Sequence, residues 1–588
     1  MKRSILSLIL CVALLFTVIV GCSNSKNGDV NASDANANNN TQNTSADANG
    51  SSDSVDEDNI NLDSMNLPII KDPSKFPKMK MLVVSPPTRV IKVGDMIQIK
   101  KLEEDTGVIF DWQEIPSEGS GEKINLMLAS RDLPDAFWNG ISNEMIVQYM
   151  GQDIFIPTEE LTEKYMPRLT AIYEKRPQYK AAATAPDGHR YGFPYIEEMY
   201  GLVLTPGPFL INKDWLEKVG KDMPTTVDEW VDVLRAFRDA GDLNGNGEDD
   251  EIPYALGLTA KDTFGSYNTF HMFTGCFGQS DTYGGRPEDH MAIKDGKVIF
   301  TAIDEAYKET AKFFHGLNNE GLIDVDSFSP HPSEGSALYL DKIKGPEAVI
   351  GCFGVWAPVN EIPDLDVRAQ YVPLPRLEGP KGKMGHALNF SEMQNAGLIT
   401  ITTECQYPEV IAAFTDYLFE PEISITTNWG PIDYIYVRGD DGMLHFDLDE
   451  NNNIVLKDGF KTFGEMRDNS TPARGAMAVL NEYYGTIADY TWDAADLLEF
   501  QRANGKEEIL AEANPVPRML MTVDEQNRVS QIQPQIKNIV TTYTMQWILD
   551  GNADETWDKY ISELKAAGLD DLLATYQQAY DRYIQHME

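Results

Sequence analysis

The residues best placed to do chemistry lie in one run, Asp242-Leu-Asn-Gly-Asn-Gly-Glu-Asp-Asp-Glu251, followed by Ile252-Pro253. Oxygen-bearing side chains occupy alternate positions at Asp242, Asn244 and Asn246. Gly247 follows, where a chain wrapping an ion must turn sharply, and Asp250 and Glu251 close the run. A hard cation such as Ca²⁺ takes about six to eight oxygen ligands, and this spacing offers them from one short loop. The competing reading is an acidic turn, because a chain with 92 acidic residues gathers Asp, Asn and Gly by number alone.

The register of the first half is that of an EF-hand loop. The second half departs from it, since Pro253 stands at the twelfth position, where an EF-hand keeps a bidentate Glu. The flanking elements can be read too. Thr226 and Glu229 form a capping box, and Val227, Trp230, Val231, Leu234 and Phe237 fall at helical spacing, which predicts a helix from Val227 to Ala240 running into the loop. Beyond it, Ile252-Pro-Tyr-Ala-Leu is short and apolar and lacks a donor at Pro253, so no second EF-hand helix begins there. One site on one packed helix points to a structural clamp rather than a calcium sensor.

Motifs for turnover are missing. The sequence has no G-x-S-x-G, no H-E-x-x-H, no Walker loop, no C-x-x-C and no Cys/His arrangement for nucleophilic or zinc chemistry. A glycosidase with two carboxylates is the enzyme alternative, but so many acidic residues make carboxylate pairs uninformative.

Met1-Lys-Arg is basic, Ile5 to Val20 is almost unbroken apolar sequence, and Gly21-Cys22 follows. The run is short for a membrane span and has the flanks of a secretory signal. A small residue before Cys22 resembles a bacterial lipoprotein signal, which implies cleavage at residue 21, a diacylglycerol thioether on the Cys22 sulfur with palmitate-type acylation, and anchorage on the extracellular face of the cell membrane. Residues 22–66 are mostly Asn, Ser, Asp, Ala, Gly and Thr, a composition that cannot bury a core and reads as a disordered tether. Cys276, Cys352 and Cys405 remain in the exported body, an odd number and no disulfide framework. A formal charge of −43 excludes nucleic acid as a partner.

The body is too long for one core and alternates strands and helices. Met79–Val84 reads as a strand, Asp95–Thr106 as a helix ended by Gly107, Val108–Ile115 as the next strand, and Glu122–Ser130 as the next helix. This order predicts an α/β sheet with parallel strands, whose ligands sit beyond the strands' carboxyl ends.

Several stretches carry a family resemblance. They include Lys123-Ile-Asn-Leu-Met-Leu-Ala-Ser-Arg-Asp-Leu-Pro-Asp135, Asp187-Gly-His-Arg-Tyr-Gly-Phe-Pro194, Asn212-Lys-Asp-Trp-Leu-Glu-Lys-Val-Gly220, Glu320-Gly-Leu-Ile-Asp324, Pro373-Leu-Pro-Arg-Leu-Glu-Gly-Pro380 and Tyr576-Gln-Gln-Ala-Tyr-Asp-Arg582. In order along the chain they resemble the extracellular solute-binding proteins (family 1) of carbohydrate ABC importers, the lipoprotein branch that includes calcium-containing oligosaccharide-binding proteins. Trp429-Gly-Pro-Ile432 departs from the pattern, since many relatives have a second Gly there.

The resemblance implies a two-lobed periplasmic-binding-protein-like α/β fold, with a hinge, an interlobe cleft and a helix-rich second lobe. The boundaries expected are 67–203 for the first lobe, 204–385 for the second, 386–458 for a return to the first, and 459–588 for C-terminal helices of the second. It implies a calcium site of Asp242, Asn244, Asn246, Asp250 and Glu251 side chains with the Glu248 carbonyl. It also implies a monomer that captures an oligosaccharide for ABC permease subunits without cleaving it. A surface sugar sensor and a peptide binder are the alternatives. Trp138, Trp356 and Trp429 stand in Gly- or Pro-punctuated stretches after apolar runs, which makes them the candidates for stacking on a sugar, with Tyr195 beside them. The other tryptophans on strand or helix stripes read as core.

Overall fold

The structure, a computed structural model, describes residues 56–587 except 200–203, 262–265, 284–285, 287, 334, 387–390, 451–452, 473, 491–497, 499–504, 506–508 and 510–513. Cys22 and the signal lie outside the described residues.

Two sheets organise the body. The larger contains β1 (Met79–Ser85), β2 (Phe110–Pro116), β3 (Ala136–Phe137), β4 (Phe193–Glu197), β11 (Met393–Ile401) and β14 (Met477–Val479), in the order β14-β4-β11-β3-β1-β2. β1 runs parallel to β2 and β3, β14 runs parallel to β4, and β11 is antiparallel to β3 and β4. The smaller contains β5 (Phe209–Asn212), β6 (Ile252–Tyr254), β9 (Ile350–Gly354) and β10 (Tyr371–Pro373), in the order β10-β5-β9-β6. Two hairpins, β7 (Met291–Lys294) with β8 (Lys297–Phe300) and β12 (Tyr436–Arg438) with β13 (Leu444–Phe446), complete the strands.

The local elements follow from the sequence. β1 buries Met79, Met81, Leu82 and Val83, so both faces of the strand are covered, as a parallel sheet requires. The helices Ile97–Thr106 and Ser120–Ser130 make the crossovers, and Gly107, at φ 69°, ends the first in the left-handed conformation. The helix Val227–Asp239 begins at Thr226 with both bonds of the capping box in place, and it buries Val227, Trp230, Val231, Leu234 and Phe237.

Each sheet has its own hydrophobic core, which makes the body two-lobed. Met81, Phe137, Ile196, Ile399 and Met477 belong to one core. In the other lobe side chains alternate across the smaller sheet: Phe209 and Ile211 enter a core shared with the C-terminal helices, while Leu210 enters one on the opposite face. Among the described residues, those from Ile69 to Ile196 and from Met393 to Tyr490 pack in the first core together with Leu520, and those from Phe209 to Met384 pack in the cores of the smaller sheet.

Two expected boundaries need correction. The tether was placed through residue 66, but Ile60 already bridges Ile70, and Ser64 is buried with its hydroxyl donating to Asp416 Oδ2 at 2.7 Å. The second lobe was expected to resume at residue 459. The helix Phe463–Ser470 and β14 instead pack with the first core, because Met477–Val479 is a buried apolar strand paired with β4. Cys276, Cys352 and Cys405 are buried and unpaired.

Candidate functional site

β4 is the last strand of the larger sheet before the chain enters the smaller sheet, and β11 is the first strand after it. Consecutive residues along extended chain face opposite sides, and β4 ends at Glu197 with Glu198 next after it. Glu197 faces a buried network: Oε1 accepts from Tyr484 Oη at 3.0 Å and the Met199 amide at 3.1 Å, and Oε2 accepts from Asn428 Nδ2. Burial outweighs these donors and pushes its carboxyl up to about 8. Glu198, on the other side, is gripped by Arg176 and accepts from the Asn481 amide at 2.7 Å. Tyr179 Oη lies 2.8 Å from Glu198 and 2.7 Å from Glu392. One hydroxyl proton cannot serve both carboxylates. Burial is the main cause that raises the Glu392 carboxyl, to about 7.

The four aromatic candidates fall in different places. Trp138 is fully buried, edge-on to Trp112, with its indole N–H donating to the Arg474 carbonyl at 2.8 Å. Trp429 is the last residue of the helix Pro421–Trp429, not a loop residue; the Arg467 guanidinium covers its ring at 4.7 Å, and its N–H donates to Tyr484 Oη at 3.2 Å. Tyr195 donates to Asn428 Oδ1 at 3.0 Å. Thus Tyr195 and Trp429 share the Asn428–Tyr484–Glu197 network. Trp356 follows β9 in the second lobe, is only partly buried, and packs with Met199 and Tyr490 against Leu498 and Ile509. Gly207 is fixed there by its φ of 94° and by a Cβ position 2.3 Å from the Val355 carbonyl.

A cavity of about 420 Å³ opens between the lobes, and none of the four aromatic candidates lines it. The first lobe supplies Ser142, Asn143 and Glu144, just past the carboxyl end of β3, and Gln394 and Asn395 of β11. The second supplies Arg286 and Glu288, then Arg518, then Gln526, Ser530 and Gln533 on the helix Val523–Asp550. Arg518 Nη1 donates across the gap to the Gln394 carbonyl. Asn143 Oδ1 is buried without a partner. Pro534 interrupts the same helix and has no N–H for the Ser530 carbonyl, which leaves a backbone acceptor at the cavity wall. Burial, then the like charge of Arg518, lowers Arg286 to about 10. The sequence reading missed these residues because the cavity is assembled from segments far apart in the chain. One signal was present: Gln526, Ser530 and Gln533 make a polar stripe at helical spacing.

The run Asp242–Glu251 is closed on itself. Asp242 Oδ1 accepts from the Gly245 and Asn246 amides at 2.6 and 3.1 Å, and Oδ2 from Gly247 at 2.9 Å. Glu251 Oε1 accepts from the Leu243 and Asn244 amides, while its Oε2 is buried without a partner. The Asn244 and Asn246 amides reach Asp250 at 3.1 and 3.3 Å. Counting only His, Cys, Asp and Glu, no group of three among the described residues could hold a metal ion. Such a loop also relies on Asn and backbone oxygens. The orphaned carboxylate oxygen and the hard-oxygen donor set fit a calcium-type cation. As expected, the chain continues into β6 and not into a helix.

The chain is 34% identical over 516 residues to the fructooligosaccharide ABC transporter substrate-binding protein FusA of Streptococcus pneumoniae serotype 4, covering 86% of this chain and 90% of that one. It belongs to the substrate-binding proteins of carbohydrate ABC importers. The structure of FusA in complex with kestose matches 87% of this chain and 100% of its own at 31% identity, with a TM-score of 0.67. A FusA EF-hand mutant in complex with fructo-nystose matches over the same shares at 31% identity, with a TM-score of 0.66. In Bacillus subtilis, lipoprotein LipO is 26% identical over 82% of this chain and 88% of its own. The polygalacturonan/rhamnogalacturonan-binding protein YtcQ of the same organism is 21% identical over 82% and 87%. Residues 522–585 match a family described as a domain of unknown function, DUF3502. In this substrate-binding protein that stretch is three helices, Val523–Asp550, Ala553–Ala566 and Leu569–Met587, the first of which walls the cavity.

Proposed function

We propose that this substrate-binding protein captures an oligosaccharide of the fructo-oligosaccharide kind in the interlobe cavity and passes it uncleaved to ABC permease subunits. The cavity carries the reading. It has room for one or two sugar rings, its walls come from both lobes, and its lining sets amide, hydroxyl, guanidinium and carboxylate groups, which meet sugar hydroxyls, beside the apolar Pro517, Met519, Met521 and Val529. Walls from two bodies suit capture by closure, in which ligand contacts select the closed arrangement. Trp356, partly exposed beside the crossing, is the stacking surface for a ring beyond the cavity, while Trp429 is buried under Arg467. The Asp242–Glu251 loop holds one structural Ca²⁺ through Asp242, Asn244, Asn246, Asp250 and Glu251, with the Glu248 carbonyl. Cys22 carries the lipid that keeps the protein on the outer face of the membrane.

Titration calorimetry with kestose tests the reading. One kestose binds per chain. Arg518→Ala weakens binding by about tenfold to a hundredfold, the cost of a lost bond to a charged donor, and Trp356→Ala weakens it while the melting temperature holds. Mass spectrometry after long incubation returns kestose intact. Absence of binding across kestose and related oligosaccharides sinks the proposal, and shortened products would make the protein an enzyme.

A further inference from the structure

We infer that Glu347 is an outer carboxylate of the calcium site, which holds Asn246 with its amide oxygen turned to the ion and fastens the loop to β9. The inference rests on the Asp242–Glu251 loop binding Ca²⁺.

Its starting point is a contact between segments 101 residues apart: Glu347 Oε2 accepts from Asn246 Nδ2 at 3.1 Å. The sheet builds this contact. β6, the strand that leaves the loop, pairs in parallel with β9, Ile252 beside Ile350, and the Ile252 amide donates to the Val349 carbonyl at 2.9 Å. Glu347 stands three residues before β9 begins, so the pairing that seats the loop's exit also brings this carboxylate to the loop's rim. Pro346 restricts the backbone just ahead of it. An asparagine amide offers an acceptor at one end and donors at the other, and an ion can use only the oxygen. A carboxylate only accepts, so Glu347 bonds the NH₂ end and leaves Oδ1 for the loop. Asn246 Oδ1 already lies on that side, accepting from the Glu248 amide at 2.7 Å. Asp250 competes for the same NH₂ group from 3.3 and 3.4 Å. A carboxylate committed to the ion has less to offer that amide, which leaves Glu347 as its fixed partner. Outer partners of this kind orient the ligands they touch.

Charge acts in the same direction. Among the described residues, none of Asp242, Glu248, Asp249, Asp250, Glu251 and Glu347 pairs with a Lys or Arg. Glu347 adds a sixth carboxylate to the five of the loop, and a bound cation relieves their mutual repulsion. Glu347 lies outside the run of loop donors, so spacing in the sequence could not mark it.

Calorimetric titration of the calcium-stripped full-length protein with calcium chloride, without sugar, tests the inference. Glu347→Ala should weaken calcium binding by about tenfold to a hundredfold. Glu347→Gln keeps an acceptor for the amide but loses the charge, and should fall between the alanine variant and the wild type. Asn246→Asp keeps a ligand oxygen and removes the NH₂ group through which Glu347 acts. In that background Glu347→Ala should cost nothing, and relief of like charge should strengthen binding. The Glu347 side chain is exposed, so both Glu347 variants should melt with the wild type in chelator and below it in calcium. Equal calcium affinity in the wild type and Glu347→Ala, or the same loss in both backgrounds, would overturn the inference and leave the loop site standing. A wild-type protein that binds no calcium would remove the calcium reading, and the inference with it.

Discussion

Glu197 shows how a single side chain ties the crossing to pH. An ordinary glutamate titrates near 4.5, but burial holds the Glu197 proton up to about 8. Between those values the folded chain binds more protons than the unfolded one, so stability falls as pH rises through that window. Glu392 acts in the same sense up to about 7. His271 acts oppositely: burial lowers it to about 4, so the fold binds fewer protons between about 4 and 6.5, and stability is lost as pH falls through that range. The two raised carboxyls outweigh the one lowered imidazole, so the melting temperature should fall as pH rises from about 5 to 8. Glu197→Gln removes the titrating group and should flatten the alkaline limb specifically. Scanning calorimetry from pH 5 to 9 checks this, and an alkaline slope equal to that of the wild type would mean Glu197 is already ionised in the fold. Nothing in the sequence marked Glu197, because its shift comes from burial among Tyr484, Asn428 and Met199, residues brought together only by the fold.

At the scale of elements, local chemistry was the legible part. The capping box at Thr226, the glycine stop at Gly107 and the apolar runs of β1 and β2 each specify their own structure, and the observed spans follow them within a few residues. The candidate donors of the Asp242–Glu251 loop could be read from spacing for the same reason, since they lie within one short run. Trp429 was misplaced because the Trp-Gly-Pro sequence resembles a loop, while Pro421 starts a helix and Gly430 ends it. The loop also has a mechanical consequence. It leads directly into β6, which pairs with β9, and β9 leads to Trp356. A cation held there stabilises the strand pair behind the cleft. A ligand that binds only the folded state adds about 2.7 kcal/mol at a free concentration one hundred times its Kd. Chelation should therefore lower the melting temperature, calcium should restore it, and Asp242→Ala should abolish the response. Equal melting curves with calcium and with chelator would rule out the site.

At the scale of the whole molecule, the two lobes meet through a few defined contacts, and these decide what ligand can do. Arg518 of the second lobe donates to the Gln394 carbonyl of the first. The helix Val523–Asp550 packs on Asn143–Tyr149, and Leu569–Met587 packs on Pro177–Ala183. None of this interlobe geometry was legible in the sequence, since each contact joins segments separated by more than a hundred residues, and no local periodicity encodes such pairings. Family resemblance is enough to imply the two-lobed class, whereas the cavity exists only once both lobes are folded against each other. Ligand in the cavity adds bonds to both walls at once, so it stabilises the arrangement in which the walls are close. Small-angle scattering should then show the radius of gyration falling as kestose is added, saturating with the calorimetric Kd. Arg518→Ala removes the direct bond across the gap, so the ligand-free variant should be more expanded than the wild type and should compact only at higher kestose. An Arg518→Ala profile that superimposes on the wild type both with and without kestose would place the closing contacts elsewhere, on the aromatic side of β4 around Trp356 and Tyr490.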